Sequence, residues 1–434
     1  MKSQESIPAS KVQRATAFVK TGVKVGGNYV KYYAKKAVNP ERSKDELHND
    51  NAEEIYGMLS NLKGSALKVA QMMSMDQNIL PTAYQERFAM SQYSAPPLSG
   101  PLIVKTFKGY FGKSPSEIFE TFTKEAVNAA SIGQVHKATK NGKEFAVKVQ
   151  YPGVAESVKS DLKMAKPFAM RLMNVRGKDL DKYMNEVEER LTEETDYELE
   201  LKRSVEISEA CKDIGDVIFP KYYAEFSARK ILTMDWIQGD HIKEWLQSNP
   251  DQKMRNKVGQ IMWDFYDYQV HKLKMVHADP HPGNFLITSE GKLAILDFGC
   301  VKVIPEDFYI NYFKLLRADR LSGNGDFEKI LEDIELITSK DSQKIRNLFV
   351  EIYGELGDLL SKPFRSEKFN FGDDSYFKDI YDLGEKTSKM KDLRDAGTAR
   401  GSQHALYVNR TYFGLYNLLN QIKAEIEPRT YWDF

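Results

Sequence analysis

Val276–Asn284 reads VHADPHPGN, and twelve residues beyond its end Leu296–Gly299 reads LDFG. Asp279, Asn284 five residues later and Asp297 eighteen residues after Asp279 form one spaced set. Phosphoryl transfer asks for a loop acid that orients an attacking hydroxyl or water, and for an amide and a second acid that hold Mg2+ on the phosphates. A DFG alone carries little, because any strand followed by a turn can contain it. Its distance from Asp279 and Asn284, on what reads as a short β pair, is what carries the information. His277 and His281 with Asp279 also spell an HxDxH cluster of metal-ligating residue types. That alternative leaves Asn284 and Asp297 without a role.

Upstream, Phe145–Lys148 reads FAVK at the end of a strand. A lysine between buried-type residues is costly unless it is paired. In the kinase arrangement it meets the α- and β-phosphates and is oriented by a helix glutamate. The acids for that pairing lie in EETDYELE, Glu193–Glu200. On one helix Asp196 and Glu200 share a face, whereas Glu194 and Asp196 stand about 200° apart, so a single regular helix cannot aim all of them at one place. Glu200 follows Lys148 by 52 residues, which implies inserted helices between them. Where a glycine-rich phosphate loop would stand, Asn128–His136 reads NAASIGQVH, and alanine does not take up the positive φ that glycine allows.

The surrounding pattern orders these pieces. Asn141-Gly142 between QVHKATK and EFAVKVQ is a two-residue hairpin signal. Helical patterns fill Val154 to Cys211, and two strands, VIFPKYYAEF and KILTMDWI, follow before Gln238-Gly239. A helix through MRNKVGQIMWDFYDYQVHKLK precedes a second β pair turned at Glu290-Gly291, and from Pro305 onward the pattern is helical, looser around Phe369 to Ser375. The fold class expected is α+β, a two-lobed protein-kinase-like fold with a small antiparallel sheet in its N-lobe and a helical C-lobe. The expected domains are a basic amphipathic segment at 1–50, a helical extension at 51–120, an N-lobe with a helical insertion at 121–238 and a C-lobe at 239–434.

Composition narrows the function classes. The 434 residues carry 62 Lys or Arg against 62 Asp or Glu, so no global field favours nucleic acid. Cys211 and Cys300 are too few for a disulfide framework and suit a reducing interior. No run of about 18 uncharged apolar residues occurs, and the first residues lack the apolar stretch of a secretory signal. Cytoplasmic placement is expected, with peripheral attachment to an anionic membrane surface. Residues 1–44 hold ten Lys or Arg against Glu5 and Glu41, and their apolar residues recur at helical spacing. Such a segment either lies on a membrane or packs on the rest of the protein.

Together these residues resemble the AarF/UbiB family of atypical kinases, whose eukaryotic members support ubiquinone biosynthesis. The match runs from about Glu53 to the C-terminal helices. Ala129, Ala130 and Ser131 look like the family's alanine-rich loop, Lys68 and Gln71 in KVAQ like its KxGQ element with Ala70 in the glycine's place, and Glu194 and Asp196 like its ExD element. The resemblance implies that the front helices pack over the active site and that Lys68, Gln71, Glu194 and Asp196 gate it. It also implies that Glu200 pairs with Lys148, and that ATP binds with Mg2+ on Asn284 and Asp297 and its adenine on the backbone around Asp235 and Ile237. Asp279 then orients the acceptor. The implied partners are a lipid or quinone-precursor ligand, an anionic membrane surface and proteins of a lipid-biosynthesis complex, with no nucleic acid. Two other readings share the motifs: a small-molecule kinase of the aminoglycoside or choline type, and a nucleotide-binding pseudokinase that regulates a partner.

Overall fold

The computed structural model describes residues 11–39, 43–62, 66, 83–84, 87, 99–129, 132–173, 177–316, 326–388, 390, 392–393 and 400–431. The chain divides into two compact units, Met1–Leu201 with Lys221–Trp236, and Lys202–Pro220 with Ile237–Phe434.

In the first unit, α1 (Lys11–Val38) and α2 (Asp45–Leu62) precede α3 (Gly100–Phe111) and α4 (Pro115–Ile118). A sheet follows, with β1 (Thr121–Phe122), β2 (Asn128–Ala129), β3 (Gly133–Lys140) and β4 (Lys143–Gln150), then α5 (Val154–Met173), α6 (Gly177–Glu194) and the first residues of α7 (Tyr197–Ala210), whose residues from Lys202 on belong to the second unit. The Asn141-Gly142 signal holds: Lys140 faces Lys143, and the two turn residues sit at φ 50° and 73°. Both are left-handed, as the twist-matched hairpin turn requires. Phe145, Val147 and Val149 of β4 enter a core with Phe107, Phe119 and Ile231, which places Lys148 on the opposite face of the strand.

A separate helical core joins α1, α2, α5 and α6 through Phe18, Val25, Leu59, Leu162 and Leu191. Inside it Arg14 donates to both carboxylate oxygens of Asp161 and to the Leu62 carbonyl, with Arg14 3% and Asp161 0% exposed. The basic front segment therefore packs on the rest of its unit. Its far side remains bare: Val12, Val19, Val23 and Val30 repeat at helical spacing and are 67 to 76% exposed.

The strand expected over VIFPKYYAEF is not one strand. Only β5 (Val217–Ile218) forms, and it pairs in parallel with a later strand of the second unit, Val217 opposite Leu293. Pro220 offers no amide to continue the ladder, and the chain then makes a single 3-10 turn at Ala224–Phe226. KILTMDWI does form β6 (Ile231–Asp235), antiparallel to β4.

The second unit is built on α8 (Ile242–Gln247), the expected helix α9 (Gln252–His271), and the ribbons β7 (Met275–His277), β8 (Phe285–Ile287), β9 (Leu293–Ile295) and β10 (Val301–Val303). Helices α10 (Glu306–Lys314), α11 (Asp326–Asp333) and α12 (Gln343–Ser361) follow. The looser region expected around Phe369 to Ser375 begins with β11 (Phe369–Asn370), which pairs with β12 (Glu425–Ile426) around α13 (Asp374–Ser388) and α14 (Gln403–Gln421), so the helical reading beyond Pro305 is corrected at Glu425–Ile426. Past β12 the main chain runs along α9. Asn256 and Gln260 accept the amides of Glu425 and Glu427, Trp263 donates to the Arg429 carbonyl, and Asp267 accepts the amide of Tyr431. Cys211 and Cys300 are both buried, and burial pushes the Cys211 thiol up to about 12. Among the described residues no helix is long and apolar enough to cross a membrane.

Candidate active site

In the first unit the Lys148 ammonium donates to both carboxylate oxygens of Glu200, at 2.8 and 3.1 Å, and stands 5.0 Å from the centre of the Tyr197 ring. Lys148 is 7% and Glu200 2% exposed, so each charge depends on the other. The helix that carries the acids is broken where the geometry of one helix fails. α6 ends at Glu194, α7 starts at Tyr197, and Asp196 Oδ1 between them accepts the amides of Glu198 and Leu199 at 3.1 Å each. This is an N-cap, and it restarts the helix so that Glu200 meets Lys148. Gln150 Nε2 donates to the Thr195 carbonyl at 2.9 Å and pins the break to the end of β4. Gly133 is obligatory beside it, because a Cβ there would lie 2.6 Å from the Val149 carbonyl oxygen and 2.8 Å from the Tyr197 hydroxyl.

Ala129 sits in β2 opposite Gln134 of β3, at the mouth of the loop expected to cover phosphates. Ala130, Ser131, Lys68 and Gln71 lie outside the described residues. The Asp235 carboxylate is engaged by the Tyr223 hydroxyl at 2.7 Å and the Lys221 amide at 3.2 Å, and its own amide donates to the Lys221 carbonyl. Ile237 is the first residue of the second unit after β6.

In the second unit the motif residues are stitched together by main-chain bonds. β7 pairs with β10, His277 opposite Val301, and the Ala278 amide continues that ladder to the Cys300 carbonyl at 2.9 Å. β8 pairs with β9, and the Leu296 amide donates to the Asn284 carbonyl at 3.0 Å, so Asn284 and Asp297 stand at the same end of one hairpin. Asn284 Nδ2 donates to the Asp279 carbonyl at 2.9 Å, which fixes the amide and turns its oxygen away from that bond. Asp297 Oδ1 accepts the Gly299 amide at 2.8 Å. An amide oxygen and a carboxylate are hard donors of the kind that Mg2+ takes, so these residue types at one hairpin end fit that ion.

The HxDxH alternative is not assembled. Among the described residues no group of three or more His, Cys, Asp or Glu side chains converges as a metal site. His277 is fully buried against the Tyr266 hydroxyl at 3.2 Å, and His281 Nδ1 accepts the Gly283 amide.

One residue was not legible beforehand. Arg410 of α14 donates to Asp279 Oδ1 at 3.2 Å across 131 positions of sequence, a distance at which no local pattern can signal the pair.

The family model described as ABC1 atypical kinase-like domain matches residues 90–333, more than half of the chain. The chain belongs to that family. Among ABC1 relatives, the zebrafish protein named atypical kinase COQ8B, mitochondrial, is 28% identical over 393 residues, covering 88% of this chain and 62% of its own length. The Saccharomyces cerevisiae protein named atypical kinase COQ8, mitochondrial, is 28% identical over 378 residues, covering 85% of this chain and 74% of its own. The chain thus spans less than two thirds of the zebrafish relative. A solved structure described as the complex of Rv3197 with erythromycin from Mycobacterium tuberculosis is 28% identical with a TM-score of 0.60, and the match covers 89% of this chain and 96% of that one. The ABC1 assignment bears out the AarF/UbiB resemblance, the kinase-like α+β fold and the expectation of an atypical kinase.

Proposed function

We propose that this ABC1-family chain is an ATP- and Mg2+-dependent kinase or ATPase serving isoprenoid-lipid or quinone metabolism at a membrane surface. The observation that supports the reading is the Asp279–Asn284–Asp297 set, in which Asn284 Nδ2 donates to the Asp279 carbonyl and the Leu296 amide, next to Asp297, donates to the Asn284 carbonyl. Bound Mg2+ would neutralise phosphate charge. Lys148, oriented by Glu200, faces the α- and β-phosphates, and the carbonyl of Asp235 and the backbone at Ile237 take the adenine. Asp279 accepts the proton of the attacking hydroxyl or water as its oxygen bonds to the γ-phosphorus and the bond from that phosphorus to the bridging oxygen breaks, releasing ADP. Lys68 and Gln71, with Glu194 and Asp196, are assigned to gating, and Ala129, Ala130 and Ser131 to the phosphate loop.

Support for a membrane surface comes from α1, whose exposed valine face is bordered by Lys20 and Lys31. Compartment follows either the cytoplasmic expectation or the organelles named for the relatives. A small-molecule ligand is the second reading, favoured by the erythromycin held in the mycobacterial complex.

The test is phosphate release and thermal stability of the purified chain with Mg-ATP. At about a hundred times the dissociation constant, the nucleotide should add about 2.7 kcal/mol, and Asp297→Asn should lose the metal-dependent part. Vesicles containing anionic lipid should raise turnover, and Val19→Glu with Val23→Glu and Val30→Glu should cancel the rise without unseating the buried face of α1. Equal Mg-ATP stabilisation in Asp297→Asn contradicts the metal assignment. A rise with erythromycin instead of lipid favours the second reading.

A further inference from the structure

Asp279 can orient an acceptor only if its carboxylate is itself held. Within Asp279–Asn284 the bonds fix the main chain: the His281 amide and Asn284 Nδ2 both reach the Asp279 carbonyl, at 2.7 and 2.9 Å. The loop contains no lysine or arginine. A cation reaches the carboxylate from α14, where Arg410 meets Asp279 Oδ1 at 3.2 Å with both side chains more than four-fifths buried.

A second observation on the same helix points to the same loop. Gly414 stands one turn beyond Arg410, and a Cβ built there would lie 2.1 Å from Cγ and 3.0 Å from Cβ of Pro280. The proline ring cannot swing aside as a long side chain could, so only glycine lets α14 approach this closely. Arg410 and Gly414, at i and i+4, therefore share a helix face. One grips the carboxylate of Asp279 and the other receives the ring of the residue after it.

The helix that presents them is firmly seated. Val408, Leu415 and Leu419 are fully buried, Tyr412 shares a hydrogen bond with His271 at 3.0 Å, Tyr416 donates to the Leu360 carbonyl at 3.0 Å, and Asn409 accepts from Tyr312. A guanidinium on such a support loses little side-chain freedom when it binds a carboxylate.

We infer that Arg410 and Gly414 form a positioning clamp that sets the Asp279 carboxylate for the acceptor, acting on turnover and not on nucleotide binding. The inference rests on the proposed role of Asp279. Misplacing a catalytic group by about 1 Å can cost on the order of a hundredfold in rate, and that is the scale expected here.

The experiment measures kcat and KM for ATP hydrolysis, the nucleotide dissociation constant and the melting temperature for the full chain and for Arg410→Gln, Arg410→Lys, Gly414→Ala and Asp279→Ala. Arg410→Gln and Gly414→Ala should each lower kcat by between about ten- and a hundredfold with KM and nucleotide affinity within about twofold of the parent, and Arg410→Lys should recover part of the loss. If Arg410→Gln does not fold, Arg410→Lys decides: a reduced kcat with parental melting supports the clamp, and a parental kcat overturns it. Lowered melting temperature with unchanged kcat in the folded variants makes the pair structural and also overturns it. Parental kcat in the Arg410 and Gly414 variants beside an inactive Asp279→Ala removes the clamp and leaves the proposed function standing. Full activity in Asp279→Ala removes the role of Asp279 itself, and the clamp with it.

Discussion

Two groups of candidate residues, one in each unit, are held by different physics. Lys148 and Glu200 are a charge pair taken out of water, each buried to below a tenth of its free exposure and each leaving the other uncompensated if removed. Asn284 and Asp297 are placed by the main chain, through the β8–β9 ribbon and the bond from Leu296 to Asn284. Where side chains hold each other, stability and function fall together. Where the backbone holds them, function can be removed while the fold stays.

That contrast can be broken by experiment. The largest effect expected is Glu200→Ala, which strands Lys148 and should cost about 3 to 5 kcal/mol in chemical denaturation. Asp297→Asn keeps the acceptor of the Gly299 amide and should leave denaturation nearly unchanged. Comparable losses in the two variants would erase the distinction.

The second effect is a pH dependence at Asp267. Burial pushes its carboxyl up to about 7, against hydrogen bonds from the Tyr431 amide and the Thr430 hydroxyl that favour the ionised form. With the folded value above the unfolded one of 3.8, its contribution is complete below about 3.8 and is lost as pH rises through about 7. Relative to the parent, Asp267→Asn should therefore gain stability with rising pH across that window, by at most about 1.4 kcal/mol per pH unit. A parallel pair of stability curves would show that the group does not titrate there. The smallest effect is Gly142→Ala in the β3–β4 turn, where a Cβ at φ 73° should cost about 1 kcal/mol in urea unfolding and leave nucleotide stabilisation untouched.

Much of this was legible because it is local. The Asn141-Gly142 hairpin, FAVK in a strand, and the spacing of Asp279, Asn284 and Asp297 each fit within one or two elements. The break between Glu194 and Tyr197 was legible indirectly, since acids about 200° apart cannot serve one site from one helix. What could not be read depends on distant partners. β5 leaves its expected neighbours for β9 because Pro220 ends its ladder. The front helix α1 is at once a core helix through Arg14, Phe18 and Val25 and a bare apolar face through its valines, and periodicity alone offered these as alternatives. Arg410 and Gly414 reach Asp279 and Pro280 from a helix whose sequence says nothing of either.

The 52 residues that separate Lys148 from Glu200 also set an order of events. A strand emerging from the ribosome with Lys148 in it gains nothing by desolvating that ammonium until two long helices have been made and Glu200 has arrived. Closure of this layer cannot precede those helices, and the β3–β4 hairpin waits, wet on one side, for a counter-charge still to be synthesised.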